Sequence, residues 1–173
     1  MQRVEGLRLL IVRHARARPA GTRGVSDDER PLTKEGAADF ARVARALARI
    51  VPRPDVILTS PLLRARQTAE IARKSWKSRA RICEERALTQ TGTAETVRLL
   101  AGYRRASQVM IVGHEPGVST LLAHLLAAKS PGALGFKKGG AALVATSDPQ
   151  LRGSGQLIWF LPPKLLSGRG GRS

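Results

Sequence analysis

Short, mostly apolar runs alternate along the chain with longer segments in which apolar residues recur every three or four positions. The runs cover residues 9–12, 55–59, 80–83 and 108–112. Runs of this length that are rich in Val, Ile and Leu are typical of strands buried on both faces. Their alternation with helices predicts an α/β fold, a three-layer sandwich in which helices cover both faces of a mostly parallel central sheet.

The first helix is predicted to begin after Thr33, because threonine is a residue type that caps a helix N-terminus. It is expected to end before Pro52, since proline cannot continue a helix. Arginines occupy the face opposite the apolar one, so one side of this helix should face the core. The apolar positions expected to point inward are Phe40, Val43, Ala44, Leu47 and Ile50.

The second helix has a start signal in two consecutive residues. Ser60 is predicted to be its N-cap and Pro61 its first helical residue, with the helix running to about Trp76. Two further helices are predicted around residues 93–102 and 116–129, on the same kind of spacing.

Two apolar runs near the C-terminus, residues 141–146 and 156–161, are joined by a polar loop that contains glycine and proline. This pattern predicts an antiparallel hairpin at the edge of the sheet. No repeat or second domain is indicated, so residues 1–162 are predicted to form a single domain. Residues 163–173 are basic and rich in glycine and proline, and we expect a flexible tail there.

A long segment, residues 15–31, has no periodicity and follows directly on the first predicted strand. Long ordered loops in compact domains are often functional, so we expect this one to fold over a site at the end of that strand. The densest acidic patch of the chain, Asp27, Asp28 and Glu29, lies in it beside Arg30. Local ion pairs are the interpretation that this arrangement favours.

The chain is strongly basic, with 30 basic and 13 acidic residues among 173 and a formal net charge of +17. Such a charge favours anionic partners: phosphorylated substrates, phosphoproteins or nucleic acid. The basic residues are spread along the chain, and aromatic residues make up only 3% of it. Both facts argue against nucleic acid, whose bases stack on aromatic side chains.

A single cysteine, Cys83, excludes an internal disulfide and a cysteine-based zinc cluster. Its place in a predicted strand indicates a buried thiol. No apolar run reaches the roughly 18 residues needed to span a membrane, and residues 1–6 have no signal-peptide pattern. We therefore expect a cytoplasmic protein without membrane contact, and a monomer.

Four polar residues stand where predicted strands end or a helix begins. Arg13 and His14 follow the first strand, Arg64 lies near the start of the second helix, and His114 follows the fourth strand. Parallel strands end at the same sheet edge, so these side chains could converge on one phosphoryl group. Arginines would neutralise its oxygens while a neutral His14 attacks phosphorus, a reaction that requires neither a metal nor a cofactor.

Three motifs carry a family resemblance: residues 13–15 (Arg-His-Ala), 60–69 (Ser-Pro-Leu-Leu-Arg-Ala-Arg-Gln-Thr-Ala) and 112–114 (Val-Gly-His). In order and spacing they resemble the signature motifs of the histidine phosphatase superfamily, which has the phosphoglycerate-mutase-like fold. Residues 30–33 and 113–117 look most like the short SixA-type phosphohistidine phosphatase branch.

This resemblance implies roles for individual residues. His14 would be the phosphorylated nucleophile, and Arg13, Arg64 and His114 would form the phosphate pocket. Arg16, close behind the nucleophile, is a further candidate for substrate binding. The resemblance implies no metal and no cofactor.

The general acid is less defined. Many superfamily members carry an acidic proton donor before the fourth strand, and Glu85 is the candidate in that region. Ala87 stands where the short branch often has glutamate. An imidazole leaves phosphorus more readily than an alkoxide does and needs less acid assistance, which favours phosphohistidine as the substrate.

The sequence therefore predicts a metal-independent phosphatase that works through phosphorylated His14 on phosphohistidine of a protein. Two alternatives stay open. One is a small-molecule phosphomonoesterase of the same fold. The other is a non-catalytic protein that binds anions or nucleic acid.

Overall fold

A six-stranded sheet runs through the molecule, for which a computed structural model describes residues 6–89 and 93–168. Its order is β3-β2-β4-β1-β5-β6, where the numbers follow the chain. The strands are β1 (Leu7–Arg13), β2 (Val56–Thr59), β3 (Arg81–Glu84), β4 (Gln108–Gly113), β5 (Ala141–Thr146) and β6 (Gly155–Leu161). The helices are α1 (Lys34–Ile50), α2 (Leu63–Ser75), α3 (Ala94–Ala101), α4 (Gly117–Leu125) and α5 (Pro163–Leu166).

The first four strands are parallel, and β5 and β6 form an antiparallel hairpin on one side. Strand β1 pairs in parallel with β4, so that Arg13 lies opposite Gly113, and antiparallel with β5. The predicted fold class is confirmed. Because β1, β2 and β4 run the same way, their carboxyl ends meet at one edge of the sheet.

The sheet is covered on both faces, as its apolar strands require. From β1, Leu10 and Val12 pack into a cluster with residues of α1, α2 and α5. Leu9 and Ile11 point the other way, into a cluster with residues of α3 and α4. Side chains that alternate along a strand in this way make β1 the shared wall of two cores.

The start of α1 is as predicted, and its end differs at one position. The Thr33 hydroxyl accepts a hydrogen bond from the Gly36 amide at 2.9 Å, which is an N-cap. Ile50 was expected to face the core and is 54% exposed. It is the last helical residue, and the chain then becomes extended at Val51, which is buried in its place.

The predicted start of α2 is wrong. Leu62, not Ser60, is the N-cap residue, and its side chain makes no capping hydrogen bond. The Ser60 hydroxyl accepts a hydrogen bond from the Leu62 amide at 3.2 Å and forms another with the His114 side chain at the sheet edge. The hydroxyl that the sequence pattern assigned to capping the helix therefore also makes a long-range hydrogen bond.

Helix α4 is shorter than predicted. It ends at Leu125 rather than near residue 129, and the chain leaves the helix through Ala127, which has a φ of 53°. The expected flexible tail begins with α5, whose Leu166 is buried against α1. Residues 169–173 of that tail lie outside the described residues, as do residues 1–5. None of the helices in the described part has the length and apolar character to cross a bilayer.

Candidate active site

The residues predicted from three separate segments come together at the carboxyl edge of the sheet. The ring centroids of His14 and His114 are 4.9 Å apart, and their planes are tilted by 52°. Arg13 is the last residue of β1 and Arg64 lies in the first turn of α2. The charges of both arginines act on both imidazoles. One compact cluster therefore holds two cations and two histidines.

The tautomer of His14 is set by its own backbone. Its Nδ1 lies 2.7 Å from the Ala15 carbonyl oxygen. A carbonyl only accepts, so Nδ1 carries the proton and Nε2 keeps its lone pair. The side chain is buried at 6% exposure, and Nε2 is the ring nitrogen available as a nucleophile.

Both site histidines are neutral at ordinary pH. Burial, followed by the nearby His114, lowers the pKa of His14 to about 3. Burial and then the Arg64 charge lower the pKa of His114 to about 4. The two arginines already place two positive charges beside the buried imidazoles, so a further positive charge on either ring is costly. Neutral imidazoles are the form that can attack or donate.

We expect the rings of His14 and His114 to stay largely neutral between pH 7 and 5, since their pKa values are about 3 and about 4. The measurement is an NMR titration of ring C–H signals, assigned with His14→Ala and His114→Ala. The unfolded chain takes up these protons near pH 6.5, so stability should fall as the pH drops below that value. A midpoint near 6.5 for either folded ring would contradict the geometry.

His114 is oriented by Ser60. The His114 Nε2 lies 2.8 Å from the Ser60 hydroxyl, which is fully buried at the end of β2. The other ring nitrogen, Nδ1, is buried and has no hydrogen-bond partner among the described residues. Nδ1 is therefore the atom of His114 whose hydrogen-bonding capacity is unused in the described structure.

A threonine ties the nucleophile to the second helix. The Thr68 hydroxyl accepts the Ala15 amide at 3.0 Å and donates to the Arg64 carbonyl at 2.7 Å. Thr68 is fully buried. Its two bonds fix the distance between the end of β1 and the first turn of α2, and thus between His14 and Arg64.

Arg13 is held by the segment after α4. Its Nη1 donates to the Phe136 carbonyl at 2.6 Å, while its Nε is buried and unpartnered in the described structure. Glu115 fixes that segment, because its two carboxylate oxygens accept the Phe136 amide at 2.5 Å and the Ser119 hydroxyl at 2.6 Å. Burial lowers the pKa of Arg13, and the Glu115 charge opposes this shift.

Arg64 is held by the long loop. Its Nη1 donates to the Asp27 carbonyl at 2.6 Å and its Nη2 to Asp27 Oδ2 at 3.0 Å. Its Nε, like that of Arg13, is buried and without a partner in the described residues. Burial lowers the pKa of Arg64 and the Asp27 charge raises it. Both arginines thus bind a carbonyl through Nη1 and keep an Nε–H donor for an anion.

Arg64 and Arg66 have different surroundings in the structure, since Arg64 is buried and Arg66 is exposed. Arg66, two residues along α2, is exposed and pairs with Glu84 at 3.4 Å. Residues two apart on a helix point in different directions. The sequence showed that only one of the two could face the site, and the structure selects Arg64.

The two remaining predicted residues lie outside the cluster of four. Arg16 pairs with Asp39 of α1 at 3.1 Å and, with Lys138, lines a cavity of about 420 Å³. The backbone amide of Glu85 donates a hydrogen bond to the Thr59 carbonyl at 2.8 Å, and the charge of the Glu85 side chain acts on Tyr103. Within residues 6–89 and 93–168, no three His, Cys, Asp or Glu side chains form a group able to hold a metal ion.

Ser60, Thr68, Asp27 and Glu115 support the site, and the sequence patterns did not identify them as such. Ser60 carried a signal, but it was interpreted as a helix cap. Asp27 lay in a patch interpreted as making local ion pairs, and one of those does form, with Arg30 at 2.8 Å. Long-range partners of this kind leave no periodic trace in a sequence.

A family model for the histidine phosphatase superfamily (branch 1) matches residues 9–93. An uncharacterised protein from Picosynechococcus sp. is 30% identical over 146 residues, which cover 79% of this chain and 88% of that protein. The segment that the family model matches, residues 9–93, includes the ends of β1 and β2 and the start of α2.

Solved structures show the same architecture. A protein from Agrobacterium tumefaciens assigned as the phosphohistidine phosphatase SixA superposes with a TM-score of 0.77 at 28% identity, covering 90% of this chain and 97% of its own. A protein histidine phosphatase SixA in complex with tungstate gives a TM-score of 0.75 at 27% identity, covering 92% and 99% of the two chains.

Proposed function

The chain belongs to the histidine phosphatase superfamily and is a phosphatase, and on that premise we propose that His14 takes up the phosphoryl group and that the substrate is phosphohistidine of a protein. The observation that carries the role of His14 is its fixed tautomer. The Ala15 carbonyl holds Nδ1–H at 2.7 Å, and Nε2 is left as a neutral nucleophile.

In the first step, Nε2 of His14 bonds to phosphorus as the bond from phosphorus to the substrate's imidazole nitrogen breaks. The released nitrogen takes a proton from water. Arg13 and Arg64 donate from Nε–H to the equatorial oxygens, and His114 donates from Nδ1–H. Preorganised donors of this kind stabilise the charge that phosphoryl transfer spreads over these oxygens.

In the second step, a water oxygen bonds to phosphorus as the bond between phosphorus and Nε2 breaks, and a proton of this water neutralises the hydroxide left by the first step. Inorganic phosphate leaves and neutral His14 is restored. The Ala15 carbonyl supports the intermediate as well, because a phosphorylated imidazole with Nδ1–H carries positive charge. The same hydrogen bond thus serves attack and hydrolysis.

Three observations support phosphoryl transfer at this site, and the first and the third of them favour phosphohistidine as the substrate. The SixA structures are similar over nearly the whole chain at 27% to 28% identity. Tungstate, a tetrahedral oxyanion like phosphate, is bound to one of them. The pKa of His114 near 4 makes this residue a poor proton source at neutral pH, which suits a leaving imidazole better than an alkoxide.

A substrate panel tests this proposal. It compares a phosphohistidine protein, free phosphohistidine, phosphotyrosine and sugar phosphates by release of inorganic phosphate. We expect the highest kcat/KM for the phosphohistidine protein, with free phosphohistidine next. A higher kcat/KM for a sugar phosphate would point to a small-molecule phosphomonoesterase. A wild-type protein that hydrolyses none of them, yet binds DNA with a steep salt dependence, would support the non-catalytic alternative.

A further inference from the structure

Asp27 lies at the tip of the long loop between β1 and α1, and it contacts both terminal nitrogens of Arg64. Its carbonyl accepts Nη1 at 2.6 Å and its Oδ2 accepts Nη2 at 3.0 Å. The Arg64 side chain is 7% exposed and the Asp27 side chain 55% exposed. A carboxylate on the surface thus reaches an arginine in the interior.

The geometry of a guanidinium determines which N–H groups of Arg64 this contact uses and which it leaves for other partners. Its five N–H groups form a rigid planar fork. One residue that binds Nη1 and Nη2 together occupies the end of the fork. The side edge, made by Nε and the second hydrogen of Nη2, then faces elsewhere. Nε of Arg64 is buried without a partner among the described residues, and the Arg64 charge acts on His114.

The loop that carries Asp27 is anchored on both sides of its tip. The Asp28 carbonyl accepts the Leu63 amide at 2.9 Å, so the loop caps the first turn of α2. Arg30 donates from Nε to Asp27 Oδ1 at 2.8 Å and from Nη1 to the Arg18 carbonyl at 2.6 Å. Each oxygen of the Asp27 carboxylate therefore has its own arginine.

We propose that Asp27 is a positioning residue. By holding the end of the Arg64 fork, it directs the edge formed by Nε and Nη2 of Arg64 toward the phosphoryl group. The inference rests on the proposed function of the site. It gives the acidic loop a second role beside local pairing, because one oxygen of Asp27 binds Arg30 and the other orients Arg64. Asp27 does not touch the reacting atoms.

The alternative role of proton donor fails on the same contacts. The hydrogen bond from Arg30, and the charges of Arg64 and Arg30, lower the pKa of Asp27. A carboxylate bound to two guanidinium groups stays ionised and accepts hydrogen bonds. A group of this kind can orient a donor, and it has no proton to give near neutral pH.

The test compares three variants of the full-length protein by kcat, KM and the Kd of tungstate. Asp27→Ala frees the Arg64 fork and should lower kcat/KM and weaken tungstate binding by about tenfold or more, since small misplacement of a catalytic group is costly. Asp27→Asn keeps an oxygen that accepts Nη2 and should restore most of both quantities. Glu29→Ala removes an equal charge from the same loop, at a side chain that binds Ser26 instead of Arg64, and should change neither.

The substitutions leave the loop docked, because the Asp27 and Asp28 carbonyls that hold it belong to the backbone. Equal thermal unfolding midpoints would document this. Tungstate affinity in Asp27→Ala that equals or exceeds the wild-type value, with unchanged kcat, would overturn the inference. A wild type that forms no phosphoenzyme with any donor would instead count against the proposed function, whatever the variants do.

Discussion

The His14→Ala variant is expected to lose turnover by a factor on the order of 10⁴ or more, because removing a nucleophile removes the covalent route as a whole. Among the described residues, the second site histidine has no comparable free lone pair. His114 presents Nδ1 to the site and uses Nε2 for Ser60. A neighbouring imidazole therefore cannot replace Nε2 of His14 in the same place.

The experiment incubates the protein with a labelled phosphodonor and quenches it in base. Wild-type protein should yield an acid-labile, base-stable phosphoenzyme that is absent from His14→Ala. The matched control is His124→Ala, which removes the third histidine of the chain, on α4. We expect the His124→Ala control to form the labelled phosphoenzyme normally. Undiminished turnover by His14→Ala would exclude the covalent mechanism.

The Arg64→Ala variant is expected to lose about 10²-fold or more in kcat, as do enzymes that lose one preorganised oxyanion donor. Arg64 is buried and aimed at the sheet edge, whereas Arg66 is exposed and pairs with Glu84. Arg66→Ala removes an equal charge two residues away and is therefore the matched control. We expect it to retain nearly the wild-type rate.

Steady-state kinetics and tungstate binding separate binding from chemistry in these two variants. An interaction that strengthens in the transition state lowers kcat, whereas uniform binding shows up in KM alone. Equal losses in Arg64→Ala and Arg66→Ala would mean that general positive charge, and not the position of one guanidinium, serves the reaction. Far-UV circular dichroism would establish that both variants are folded.

Elements with strong local signals were predicted well. Strand β5 has its predicted bounds, and α1 begins after a Thr33 cap as expected. Such features depend on neighbours along the chain, so a window of sequence contains their cause. Boundaries that depend on distant partners were predicted poorly, as at Ser60, where the hydroxyl binds His114 rather than the helix.

The nature of the chemistry came from the sequence, because the residues at the ends of parallel strands must meet at one edge. That rule predicted that Arg13, His14 and His114 lie close together, and the resemblance to the histidine phosphatase superfamily implied their roles. Only the tertiary structure decided how the site residues are held: which tautomer His14 adopts, and that Asp27 binds both terminal nitrogens of Arg64. The His14 tautomer depends on a contact with the next residue, which the backbone conformation at the sheet edge makes possible, whereas the contact between Arg64 and Asp27 spans 37 residues, and neither follows a periodic pattern.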